Sequence, residues 1–68
     1  MLQSILFNKN VWNESQSLKW LLENNLIPIK LAHITPNYIR FRLVKPDKNK
    51  KYFSKYLDAH HSILAVFQ

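Results

Sequence analysis

The segment Tyr38-Ile39-Arg40-Phe41-Arg42-Leu43 alternates strictly between an apolar series, Ile39, Phe41 and Leu43, and a polar series, Tyr38, Arg40 and Arg42. A period of two is the signature of a β-strand, in which successive side chains point to opposite faces. Such a strand needs a packed layer on its apolar side and water or an anion on the other. That requirement restricts the fold to a sheet with one covered face and one cationic face.

The flanking sequence supplies the rest of such a sheet. Ile29 to Ile34 and Tyr38 to Val44 are separated by Thr35-Pro36-Asn37, with proline at a central turn position, so the two runs are expected to pair as an antiparallel hairpin. Leu2 to Phe7 and Ser62 to Phe67 read as further strands, whereas Tyr52 to Leu57 fits either a short strand or a helical turn. A helix is expected from Glu14 to Asn24. Asn13 and Gln16 are spaced as a capping box, Glu14 suits the helix dipole, and Leu18, Leu21 and Leu22 fall on one face. Asn24-Asn25 offers a left-handed C-cap in a chain without glycine, and Pro28 prevents continuation. The expected fold class is α+β, a small antiparallel sheet of three to five strands with one helix packed on one face, in β-α-β-β-β order.

A chain of 68 residues has room for a single compact domain, with no linker or tail. At this size the balance of apolar burial against ordering entropy comes out near zero, so an extra source of stability is expected. Cysteine is absent, which excludes disulfides and thiolate zinc sites and leaves dense aromatic packing or self-association. The hydrophobic fraction of 47% is too high for a disordered basic tail. The apolar start, Leu2 to Phe7, is too short and lacks the basic residue and cleavage site of a signal peptide, so it reads as mature sequence. No apolar run approaches the roughly 20 residues of a membrane-spanning helix, and no membrane partner is expected.

The net charge of +6 is confined to one part of the chain. Up to Leu26, Lys9 and Lys19 balance Glu14 and Glu23; from there to Asp58, Lys30, Arg40, Arg42, Lys45, Lys48, Lys50, Lys51 and Lys55 face only Asp47 and Asp58. A one-sided basic surface points to a polyanion. Arg40 and Arg42, two residues apart on one strand face, stand about 7 Å apart, comparable to the phosphate spacing of a nucleic acid strand. Tyr38 on the same face adds a ring for stacking or a phenol for a phosphate oxygen. The lysines serve either to widen the field or simply to keep the chain soluble. An alternative role for the arginines is at the rim of a dimer, paired with Asp47, Asp58 or Glu23 of a second copy.

Catalytic arrangements are lacking. His60-His61 reads as a polar turn, with His33 the only other imidazole; Glu14 and Glu23 lie too far apart on the helix to act together; Ser62 beside His61 is sequence adjacency. Without glycine there is no phosphate-cradling loop. No enzyme activity, cofactor or metal is expected. Two features suggest contact with another chain. Trp20 lies away from the leucine stripe and suits either peripheral core, against Trp12 or a sheet edge, or an interface. Leu64 and Val66 lie in a terminal strand apolar on both alternating faces, which one helix cannot cover, and a homodimer would cover it.

Lys19-Trp20-Leu21, Asn24 to Lys30, Asn37 to Arg42 and Pro46 together resemble a short module, K-W-L near a helix end followed by a Y-x-R-F-R strand, found in phage proteins and in small proteins of large eukaryotic DNA viruses. As a stand-alone basic chain the sequence is most similar to small virion-associated proteins of marseillevirus-type giant viruses. The resemblance covers Asn13 to Pro46, and Ser62 to Phe67 matches the position of the module's last strand, although Asp58 to His61 replaces the glycine that usually precedes it. It implies a non-enzymatic component of the viral particle, located in the virion and in the cytoplasm or viral factory of the infected cell.

The functional expectation is non-specific DNA binding for genome packaging or condensation, through Arg40, Arg42, Tyr38, Lys30, Lys45, Lys48, Lys50, Lys51 and Lys55, by a homodimer with Trp20, Leu64 and Val66 at interfaces. The alternative is a structural protein whose basic surface contacts acidic viral or host proteins. A third reading, single-stranded DNA or RNA on an open sheet, requires Tyr38 and a second aromatic residue exposed together.

Overall fold

The longest strand of the protein, β1 (Leu2–Asn8), contains no charged residue and takes the centre of the sheet. In the computed structural model, which describes residues 1–68, it is followed by α1 (Glu14–Glu23), β2 (His33–Ile34), β3 (Tyr38–Arg42), β4 (Phe53–Tyr56) and β5 (Ile63–Phe67). The five strands form one antiparallel sheet in the order β2-β3-β1-β5-β4. The predicted α+β class and helix-on-sheet layering are therefore present, with β4 resolving the ambiguity of Tyr52 to Leu57 as a strand. Both edges are blunted: β2 has two residues, and all four residues of β4 are exposed.

The helix begins as its sequence dictates. Asn13 Oδ1 accepts from Gln16 N at 2.7 Å while Gln16 Oε1 accepts from Asn13 N at 3.0 Å, completing the capping box. It ends in a Schellman motif, with Leu26 N donating to Leu21 O at 2.9 Å and Asn25 N to Leu22 O at 3.1 Å. Asn25 takes φ 60°, the left-handed conformation that glycine would otherwise occupy.

Ile5, Phe7, Ile39, Phe41 and Ile63 from the sheet and Leu21 from the helix form the buried core. Phe7 is its hub. Its ring meets Trp12, Trp20 and Phe41 edge-on, with centroids 5.2, 5.7 and 6.0 Å away. This aromatic cluster is the dense packing that a small, cysteine-free core requires.

Two expectations need correction. The leucine stripe is not the buried face: Leu21 is buried together with Ser17, whereas Leu18 and Leu22 are exposed. Trp12 and Trp20 offer Phe7 more area than two leucines, and the small Ser17, its hydroxyl bonded to Asn13 O, lets the helix turn toward them. The strand expected over Ile29 to Ile34 is reduced to His33–Ile34. Ile29 N does reach Arg42 O at 2.9 Å, but Pro28 has no N–H to extend the ladder, and Leu31 lies 95% exposed before the chain returns at Ala32. In β1, a bulge between Leu2 and Ser4 shifts the register against β5. The carbonyl of Gln3 there accepts from Leu43 N and Val44 N, and its Nε2 donates to Val44 O, tying the end of β3 to the centre of the sheet.

Candidate nucleic-acid interface

The helix covers only one side of the sheet, and the register fixes what the other side carries. Arg40 of β3 lies opposite Leu6 of β1, which lies opposite Leu64 of β5 and then Tyr56 of β4; the next row is Arg42, Ser4, Val66 and Ser54. His33 pairs with Arg40 at the β2 edge, and Tyr38 pairs with Asn8 at one end. The cationic face of β3 therefore looks away from the helix, on the same surface as Leu64 and Val66.

No strand contains a carboxylate, so nothing within the sheet neutralises the arginines. Neither guanidinium takes part in a side-chain hydrogen bond. The acids proposed as their partners in a dimer are partly committed elsewhere. Asp58 accepts from Ser62 N at 2.9 Å, from Ile63 N at 3.0 Å and from the Ser62 hydroxyl, which in turn accepts from Trp12 Nε1 at 3.1 Å. The Ser62 hydroxyl, with the two backbone N–H groups, holds the Asp58 carboxyl below its ordinary 3.8 against the opposing effect of desolvation. Asp47 Oδ1 accepts from Asn49 N. Glu23 ends the helix, on the covered side of the sheet.

The lysines divide by position. Lys45, Lys48, Lys50 and Lys51 are exposed in the loop joining β3 to β4. Gln68 pins this loop at the Arg42 end of the sheet, its Nε2 donating to Lys45 O and its Oε1 accepting from Asp47 N. Lys30 is exposed next to Ile29, whose N–H reaches Arg42 O at that same end. Lys55 departs from the expectation. It pairs with Ala65 and so stands on the helix side of the sheet, away from Arg40 and Arg42. Trp20 is half-buried against Phe7 as peripheral core. It also lines an open groove of about 350 Å³ with Trp12 and Lys19, on the helix rather than on the cationic face.

The opposite end of the open face is aromatic. Tyr56, 41% exposed, stacks on the His61 imidazole with centroids 4.5 Å apart and planes 19° from parallel. Its hydroxyl approaches that of Tyr38, and hydrogen bonding with Tyr56 raises the Tyr38 pKa above its ordinary 10.0, with charge repulsion and desolvation adding to the effect. The approach stops short of the geometry of the fully formed hydrogen bonds elsewhere in the protein. Three strand spacings of about 4.8 Å, on the order of 14 Å, separate β3 from β4. Leu6 and Leu64, both half-buried, lie between these two strands' residues on the same face.

Sequence reasoning missed Tyr56, His61 and His33 as members of this face. A signal for Tyr56 was available, since Ser54 and Tyr56 alternate with Phe53 and Lys55, but the segment was too short to separate a strand from a helical turn. His61 is placed by a tertiary contact and a left-handed φ of 55°, which no local pattern announces. His33 is kept apart from His60 and His61 by the width of the sheet, and no group of three or more metal-ligating side chains forms. No helix is long and apolar enough to cross a membrane. Compared with protein-family models, curated proteins and solved structures, the chain gives no match.

Proposed function

We propose that this protein is a non-enzymatic nucleic-acid-binding protein whose open sheet face grips the phosphate backbone without sequence preference. The observation that carries the reading is the pair Arg40 and Arg42, side by side on an uncovered face that has no carboxylate and makes no internal use of either guanidinium. Lys30 and the loop lysines Lys45, Lys48, Lys50 and Lys51 extend the field at the Arg42 end, and Lys55 is left out of it. The resemblance over Asn13 to Pro46 supports placing this activity on the genome of a viral particle. The module's K-W-L falls on α1 and its Y-x-R-F-R is β3, the two elements that meet around Phe7.

A second reading is favoured by Leu64 and Val66, half-buried on the open face: two copies pair through it, with other virion proteins as further partners. The readings exclude each other sterically and respond oppositely to salt. Two identical faces carrying Arg40 and Arg42 repel at low ionic strength, whereas a phosphate backbone binds most tightly there. Titration of labelled nucleic acid at low salt, with light scattering of the protein alone, tests both. Binding at low salt that Arg40→Ala with Arg42→Ala weakens supports the first reading. A dimer that tightens with salt, in a protein that binds no nucleic acid, supports the second.

A further inference from the structure

We infer that the ligand of the open face is a single strand, with phosphates on Arg40 and Arg42 and unpaired bases stacked on the Tyr56 and His61 pair. The inference rests on the phosphate-binding reading above and names the form of nucleic acid that fits.

The face is divided. Its β3 side carries the cations, and its β4 side carries the Tyr56 and His61 rings, with Leu6 and Leu64 between them. A duplex presents phosphates on its outside and hides its bases, so it can use only the cationic side. A single strand lying along β3 exposes flat apolar bases that reach across the leucines, and each base has a π-face for an aromatic ring. The His61 imidazole is stacked on Tyr56 while both residues remain exposed, so flat aromatic surface is open to solvent on the β4 side. The loss of uncovered leucine surface to a base adds apolar burial that a duplex cannot match.

The test compares a labelled oligothymidylate of about 12 nucleotides, within the roughly 4–16 nucleotide range of such faces, with a duplex of equal length at one ionic strength. Fluorescence anisotropy is expected to show the single strand bound at least about tenfold more tightly. Tyr56→Thr, which keeps strand propensity, is expected to weaken the single strand at least about fivefold and to leave the duplex unchanged, with Tyr56→Phe retaining most of the affinity. A 2-aminopurine base placed centrally in the oligonucleotide reads the stack in the unaltered protein, and its emission should fall at saturation. Equal affinity for the two forms, both lost in Arg40→Ala with Arg42→Ala, overturns the single-strand inference and leaves the phosphate reading standing. Unquenched 2-aminopurine does the same. No binding of either form at low salt overturns both.

Discussion

Replacing Phe7 with alanine should remove the hub of the core and come close to unfolding the protein. Phe7 is fully buried and meets three aromatic rings edge-on, so the cost combines lost burial, a residual cavity and lost ring contacts. Buried Phe→Ala changes cost about 3–5 kcal/mol, and edge-on pairs with roughly 0.5–1.5 kcal/mol each place this one near the upper end. A chain of 68 residues has about 3–10 kcal/mol of total stability, so most of it is at stake. Phe7→Leu keeps much of the volume and should cost about 1–2 kcal/mol. Urea unfolding followed by the fluorescence of Trp12 and Trp20, which flank the site, measures both variants. With a slope of about 1 kcal/mol per molar urea, Phe7→Leu should lower the midpoint by about 1–2 M. A loss under about 1 kcal/mol for Phe7→Ala would show that the helix and sheet do not close around this ring. Because Phe7 points away from the open face, Phe7→Leu should leave nucleic-acid binding unchanged under conditions where it is folded.

Two further perturbations test the local structure. Asp58 has a folded-state pKa below its unfolded value, so its contribution is fully present above about pH 4 and is lost as pH falls through the folded pKa; thermal unfolding from pH 7 to 2 should show this decline in the native protein and a flatter profile in Asp58→Asn. Asn25→Val forces a β-branched residue into a left-handed conformation and should cost about 1–2 kcal/mol in urea unfolding, whereas Asn25→Gly should be neutral or slightly stabilising; equal effects would contradict the Schellman cap.

The parts of the fold that local chemistry determines were readable from the chain. Asn13 with Gln16, Asn25 without a competing glycine, and the alternation through Arg42 each act over a few residues, and each forms as its neighbours dictate. What escaped depends on contacts between distant segments. The helix turns its Trp20 side toward Phe7 because Trp12 is brought there by the turn after β1, and no periodicity within Leu18 to Leu22 could show that. The arginines' face was legible, but its far side was not, since Tyr56 and His61 join it only through the β4 and β5 pairing and the bend that follows β4. Lys55 was misplaced for the same reason: counted by charge it belongs with the basic set, and counted by register it faces the other way.

That difference between charge and register gives the most direct test of the proposed interface. The measurement is the dependence of single-strand affinity on salt for the native protein, for Arg40→Ala with Arg42→Ala, and for Lys55→Ala. Each phosphate neutralised contributes about 0.7 to the log-log slope on a single strand, so the double variant should lower the slope by about 1.4. Lys55→Ala should leave it unchanged, because its side chain stands on the opposite side of the sheet. A slope that falls in proportion to the charge removed, with Lys55 counting as much as either arginine, would contradict the account and reduce the open face to a bystander in a general attraction.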